Sequence, residues 1–338
     1  MPRDNRLDVI RIIAMAMIVS CHYFQIIGWA EIAFWLNGGV QIFFAISAYL
    51  LSVYTFENNM DIVMFLKKRF MRIMIPVWIY LISIIGILLI AHLPVKPMSV
   101  VMYMLGLTAF SKEGLLGLGH LWYITAILIC YSVVPILNRI LKNEVMKPIR
   151  LMIISLILVI CMMIFYRYSY MAYGIDIAFF VVMYCLFQRY RTQRHERTLL
   201  FCFVPVAVIL TALRIIVEGN SNISITGNVV LNDCVITLDK CCLAVVVFCL
   251  IHSFLKAEKR KQIITFLSGI SYEVYLTHQF VLLVANRVFF ILKVNIIIRS
   301  IMIIVVSLPI IVVWAMALKF LSKQVEKMVM KRGEDRKI

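Results

Sequence analysis

Apolar runs of around 20 residues recur from one end of the chain to the other, separated by short stretches where charged residues concentrate. Each run is long enough, as a helix, to cross a hydrocarbon core about 30 Å thick. The pattern predicts helices over roughly 9–28, 34–54, 73–92, 118–139, 151–167, 171–188, 199–217, 233–255, 264–285 and 296–320. The expected fold class is therefore all-α, a polytopic membrane helix bundle of about ten transmembrane helices. An even number of crossings puts both termini on one side. The first run, Val9–Gly28, carries Arg11 at its start and is followed at once by the next run with no small-residue cleavage site, so it is expected to stay as a membrane helix.

Two segments depart from the simple run. Over Asp61–Arg72, Ile62, Phe65, Leu66, Arg69, Phe70 and Ile73 outline an amphipathic helix lying on the inner membrane surface, with Pro76 allowing a break before the third span. The outer connection 93–117 contains its own apolar stretch, Val100–Phe110, too short to cross and so re-entrant or interfacial. The organisation expected is a single membrane domain over 1–320 and a basic cytosolic tail over 321–338, with no internal repeat or linker.

Composition agrees. The 338 residues are 63% hydrophobic and 15% charged, whereas soluble chains are about 45–50% apolar and about 25% charged. A net charge of +17 raises the question of nucleic acid, and its distribution answers it. On the predicted topology 26 of the 34 Lys and Arg fall on the side of the termini and seven on the other, with Lys240 inside a helix. That is the bias that holds basic residues in cytosolic loops, so the expected partner is the bilayer and not nucleic acid. The nine cysteines lie in or beside apolar runs with no CxxC pair and read as small hydrophobes; no metal site is expected.

Ionisable groups deep in a bilayer cost several kcal/mol unless they face protein or a wet cavity, so each points to function or to a partner. The inventory is His22, Asp176, Asp233, Asp239, Lys240, Glu273, His278 and, near the outer ends, His120 and Arg214. Asp239 and Lys240 are adjacent and point apart, so each needs its own partner. Arg11 and His22 return to nearly one helix face after three turns, roughly 16 Å apart along the axis. With Arg11 at the inner headgroups, His22 is expected near mid-membrane, and the pair outlines a polar passage or, alternatively, a snorkelling Arg and a His bonded to a neighbouring helix. Ser271, Tyr275 and His278 share a face at i, i+4 and i+7. His92, His195 and His252 sit at helix ends or in a basic loop and are assigned no chemistry.

Five blocks then stand in order: Arg11-x10-His22; Phe43-Phe44-Ala45-Ile46-Ser47-Ala48-Tyr49; Lys68-Arg69-x-x-Arg72 with Pro76; Gly119-His120-Leu121-Trp122-Tyr123; and Ser271-Tyr272-x-x-Tyr275-Leu276-x-His278. Together they resemble the acyltransferase-3 family of integral membrane acyltransferases. One departure is Ser47-Ala48-Tyr49 where the family usually has Ser-Gly-Phe. The resemblance implies a cell-membrane enzyme of bacterial inner-membrane type that moves an acyl group, usually acetyl, from cytosolic acetyl-CoA as co-substrate to a hydroxyl of a surface or lipid-linked carbohydrate. Fitted to that task, Arg11, Lys68, Arg69 and Arg72 hold the donor's phosphates, since guanidinium forks suit phosphate oxygens. His22 acts as general base, with an acyl-histidine relay as a variant. His120, Trp122, Tyr123, Tyr275 and His278 form the acceptor side, by ring stacking and hydroxyl hydrogen bonds. Ser47 is a packing residue. The competing reading is a secondary transporter or flippase for a small molecule or glycan, for which a polar-lined bundle is equally natural.

Overall fold

The computed structural model describes residues 4–111, 114–142, 171–189, 193–219, 229–255 and 261–334, and among them every regular element is helical. In chain order they are α1 (Asn5–Ile26), α2 (Ala30–Leu36), α3 (Gly39–Leu51), α4 (Asn59–Ile90), α5 (Pro97–Met104), α6 (Trp122–Lys142), α7 (Met171–Arg189), α8 (Gln193–Gly219), α9 (Val229–Phe254), α10 (Gln262–Ile291) and α11 (Ile296–Glu334), with short 3-10 turns at Thr108–Phe110 and Gly119–Leu121. Among the described residues eight segments are long and apolar enough to cross a membrane, and each coincides with an expected span: 5–26, 30–51, 59–90, 119–141, 195–216, 232–254, 262–291 and 296–329. The expected span at 171–188 is the 19-residue helix α7. The expected span at 151–167 lies outside the described residues.

Several boundaries differ from expectation. The second span is two helices, α2 and α3, joined by a turn at 37–38. The surface helix and third span are one helix: α4 runs through Pro76 without a break. Pro76 is buried, and the ring removes the hydrogen bond to the Arg72 carbonyl, a loss tolerated in membrane helices where neighbours re-satisfy the backbone. Beside it, the Tyr272 hydroxyl donates to the Ile73 carbonyl at 3.0 Å and ties this turn of α4 to α10. α1 begins at Asn5, capped by Asp4, whose Oδ1 accepts the Arg6 backbone N–H at 2.9 Å. His22 therefore lies one turn from the far end of α1 and not at its middle. α11 continues as helix to Glu334, through the expected start of the tail.

The chain forms two compact units. Unit 1 comprises Met1–Ala14, Asn37–Ile62 and Ile129–Ile264. Its α3, α7 and α9 pack around aromatic contacts centred on Tyr49, whose ring lies 5.1 Å from Phe187, 5.3 Å from Phe248 and 4.9 Å from His252. Three of its buried polar contacts join side chains from different helices or from successive turns. Arg214 donates to Asp239 at 2.8 Å with both side chains essentially inaccessible, Thr211 donates to the other Asp239 oxygen at 2.7 Å, and Gln41 donates to Asp176 at 2.9 Å. Asp239, whose partner the sequence left open, thus glues α8 to α9.

Unit 2 comprises Met15–Leu36, Val63–Leu128 and Thr265–Ile338. Ile270, Val274, Val281 and Leu282 of α10 with Ile303, Ile311 and Ala315 of α11 form a buried cluster, and Met15, Val19, Tyr23 and Ile26 of α1 pack against it. The three- and four-residue spacing of these α1 positions sets one face on the cluster, and a Tyr23 hydroxyl bond to the Ser300 carbonyl at 3.0 Å pins the helix end. His22, one turn before Ile26, is thereby held beside α10.

Candidate active site

Three imidazoles from segments far apart in sequence meet in unit 2. Ring centroids are 5.2 Å apart for His22 and His278, 6.1 Å for His22 and His120, and 4.9 Å for His120 and His278. His278 is 0% exposed and His120 5%, while His22 is half-buried.

The partners of each ring decide where its proton sits. His278 Nδ1 lies 2.7 Å from the Tyr275 carbonyl and 3.2 Å from that of Val274. A carbonyl only accepts, so Nδ1 carries the hydrogen and Nε2 is left as a bare acceptor. His120 Nε2 lies 3.2 Å from the Leu276 carbonyl, which by the same argument leaves Nδ1 bare. Both bare nitrogens are buried with no hydrogen-bond partner, as is Oε1 of the neighbouring Gln279. These three orphaned atoms are all acceptors. With these tautomers, a molecule that brings hydrogens suits the cluster. The His22 Nδ1 lies 3.0 Å from Gln25 Oε1.

Tyr275 fastens the group. Its hydroxyl donates to the His120 carbonyl at 2.5 Å while His120 donates back to Leu276, so the 3-10 turn bearing His120 is stapled to α10 by two reciprocal bonds. The Tyr275 ring lies 5.3 Å from His120 and 5.5 Å from Tyr123, edge to face. Tyr123 is buried, and Trp122 beside it is half-buried. Behind this turn, Thr108 donates to the Leu121 carbonyl at 2.6 Å, and Thr125 donates to the Gly106 carbonyl at 2.8 Å while accepting from the Ala109 N–H at 3.0 Å. Two glycines make the loop possible. Gly106 and Gly117 both have φ of +74°, and a Cβ at Gly117 would meet Leu283 at 3.2 Å, while one at Gly106 would meet Leu128 at 2.8 Å.

The cations of α4 lie along the same unit. Lys68 and Arg72 are exposed, and Arg69 is half-buried with its guanidinium 5.5 Å from the Phe65 ring centroid. The Tyr272–Ile73 bond sets Arg72 level with Glu273 of α10, a buried carboxylate in the field of Lys319, Arg72 and Lys323. Lys319 itself donates to the Gly269 carbonyl. At 1.5 Å per residue, Glu273 is about 7.5 Å and Gly269 about 13.5 Å below His278 along α10. Arg11 belongs to unit 1, where its guanidinium lies 3.3 Å from the buried Asp8 carboxylate. Among the described residues no group of three His, Cys, Asp or Glu side chains is arranged to hold a metal ion.

Of the sequence-derived site residues, His22, His120, Tyr123, Tyr275 and His278 thus come together, with Trp122 at the margin, and Lys68, Arg69 and Arg72 form a separate cationic stretch of the same unit. The sequence reading divided the histidines between a base and an acceptor side; the fold makes them one cluster. It missed Gln25, Gln279, Thr108 and Thr125. A signal for Gln25 was present in its i, i+3 spacing from His22. No curated protein and no solved structure matches the chain. The family model described as an acyltransferase domain matches residues 4–320, and on that extent the chain belongs to the acyltransferase-3 family of membrane acyltransferases.

Proposed function

We propose that the protein is an O-acyltransferase that moves an acyl group, acetyl by family resemblance, from cytosolic acyl-CoA to a hydroxyl of a surface or lipid-linked carbohydrate. The observation that carries this reading is the set of buried acceptor atoms around three clustered imidazoles: His120 Nδ1, His278 Nε2 and Gln279 Oε1 lack donors, and a sugar hydroxyl supplies one. In this reading the donor's phosphates rest on Lys68, Arg69 and Arg72, and the thioester reaches along α10 toward His278. The axial span of about 7.5–13.5 Å from Glu273 and Gly269 to His278 suits an elongated donor with its charge at one end and its reactive carbonyl at the other.

His22 takes the proton of the bound hydroxyl as its oxygen attacks the thioester carbonyl carbon. The new C–O bond forms, the C–S bond breaks, and the same proton passes from the imidazolium to the departing thiolate. His120 and His278, fixed as acceptors, orient the hydroxyl, and Trp122, Tyr123 and Tyr275 offer ring faces and edges to the sugar. Purified protein in nanodiscs, given radiolabelled acetyl-CoA and an envelope-carbohydrate extract, tests the assignment. His22→Ala is expected to lose about 10²–10⁴-fold in transfer rate while still binding acetyl-CoA. Absence of transfer by the parent, or parental transfer by the variant, overturns it; substrate movement across the membrane without acyl transfer would favour a transporter.

A further inference from the structure

We propose that Gln25 is a positioning residue of this site, its amide oxygen holding the Nδ1–H of His22 so that Nε2 stays the bare, basic nitrogen; the inference rests on the acyl-transfer reading above. The three imidazoles are not held alike. His278 and His120 are held by backbone carbonyls, at 2.7 and 3.2 Å, and a carbonyl has no alternative to accepting. Their tautomers are built into the main chain. His22 is held by a side-chain amide at 3.0 Å, and an amide has two faces, one oxygen that accepts and one NH2 that donates. If the NH2 met Nδ1, the single proton of neutral His22 would move to Nε2. The ring would then be a donor set among acceptors, with no lone pair for a hydroxyl proton. With the oxygen inward, Nε2 is the base.

The local backbone is built to deliver this side chain. α1 ends in a Schellman cap: Gly28, at φ +85°, gives its N–H to the Gln25 carbonyl at 3.3 Å, and Trp29 gives its N–H to the Phe24 carbonyl at 2.8 Å. The Phe24 and Trp29 rings stack at 5.9 Å across the same turn, the apolar contact that accompanies this cap. Gln25 therefore projects from a fixed turn, three residues from His22 and on a neighbouring position of the helix surface. A carboxamide also suits the setting. It orients the ring and faces the Nδ1–H of the imidazolium during turnover without placing a second formal charge beside it. In the step itself, the hydroxyl O–H breaks and its proton goes to Nε2, the C–O bond forms, the C–S bond breaks and the proton leaves with the thiolate; the Nδ1–H to Gln25 bond persists throughout.

The experiment compares the parent, His22→Ala, Gln25→Leu and Gln25→Glu in nanodiscs, with radiolabelled acetyl-CoA and an envelope-carbohydrate extract, measuring kcat, KM for acetyl-CoA and equilibrium acetyl-CoA binding. Gln25→Leu is expected to lower kcat by about 10–100-fold, the scale of loss when the partner that orients a metal-bound imidazole is removed, with donor KM and binding unchanged. Glutamate only accepts, so Gln25→Glu is expected to restore most of that loss. Parental kcat in Gln25→Leu overturns the proposal, and so does a Glu variant as inactive as the Leu variant, since that result assigns the needed atom to the NH2. Failure of the parent, or full activity of His22→Ala, removes the acyl-transfer reading and this inference with it. An inactive His22→Ala beside a parental Gln25→Leu removes this inference alone.

Discussion

Replacing Tyr275 by Phe removes one oxygen and keeps the ring, and the structure allows the consequence to be worked out. The lost hydroxyl donates to the His120 carbonyl at 2.5 Å from a side chain that is 3% exposed. Leaving a buried carbonyl without its donor costs about 1–3 kcal/mol. The turn remains fastened by the single bond from His120 Nε2 to Leu276, at 3.2 Å. If the whole cost falls on the arrangement that keeps His120 at 4.9 Å from His278, the competent fraction falls about 5–150-fold. Thermal unfolding should move little, because the aromatic contacts to Tyr123 and His120 persist. Steady-state transfer from radiolabelled acetyl-CoA, with donor binding measured in parallel, reads the effect: kcat drops and donor affinity holds. A parental kcat refutes the argument that this bond positions His120. An equal loss in donor affinity would show general disruption of unit 2 instead.

Arg72→Ala, level with Glu273 and facing the exposed side of α4, is expected to weaken acetyl-CoA binding by about tenfold or more, in line with a charge-assisted contact of roughly 1.5–3 kcal/mol, while membrane insertion is unchanged; equal affinity in variant and parent would remove it from the donor site. In unit 1, Asp239→Leu takes the carboxylate from the buried Arg214 guanidinium and should cost about 3–5 kcal/mol, seen as a lower midpoint for unfolding in detergent. The double variant Arg214→Met with Asp239→Leu should recover most of that loss, and a single variant as stable as the parent would show that the pair, bonded at 2.8 Å, does not hold α8 to α9.

What the sequence could disclose was local. Eight expected spans coincide with apolar helices because hydropathy is summed over contiguous residues and needs no knowledge of neighbours. Where polar residues are buried by pairing, the same reasoning placed boundaries poorly. The apolar run placed the start of α1 at Val9, although Asp4 is a recognisable cap and Asp8 is fully buried against Arg11. Pro76 suggested a break because the hydroxyl of Tyr272, almost 200 residues on, lies nowhere near it in the chain. The site divided in the same way. His22, His120, Tyr275 and His278 were each legible as costly polar groups or motif members. Their convergence was not, since it depends on α1 packing against α10 and on a loop shaped by Gly106, Gly117, Thr108 and Thr125. The bare nitrogens were legible least of all, because a tautomer is set by carbonyls that every residue possesses.

A pocket furnished only with lone pairs does not distinguish a sugar from the solvent. Water has two hydrogens and a nucleophilic oxygen, so whatever satisfies His120, His278 and Gln279 between turnovers is itself a competent attacker of a thioester. If the acceptor is the carbohydrate proposed above, economy of the acyl donor depends on timing more than on affinity: the sugar must be seated, and the solvent expelled by its bulk, before the activated carbonyl arrives. On the proposed reading, the half-buried His22 beside two buried imidazoles is where solvent still reaches the cluster, and idle hydrolysis of the donor becomes the measure of how well the order is kept.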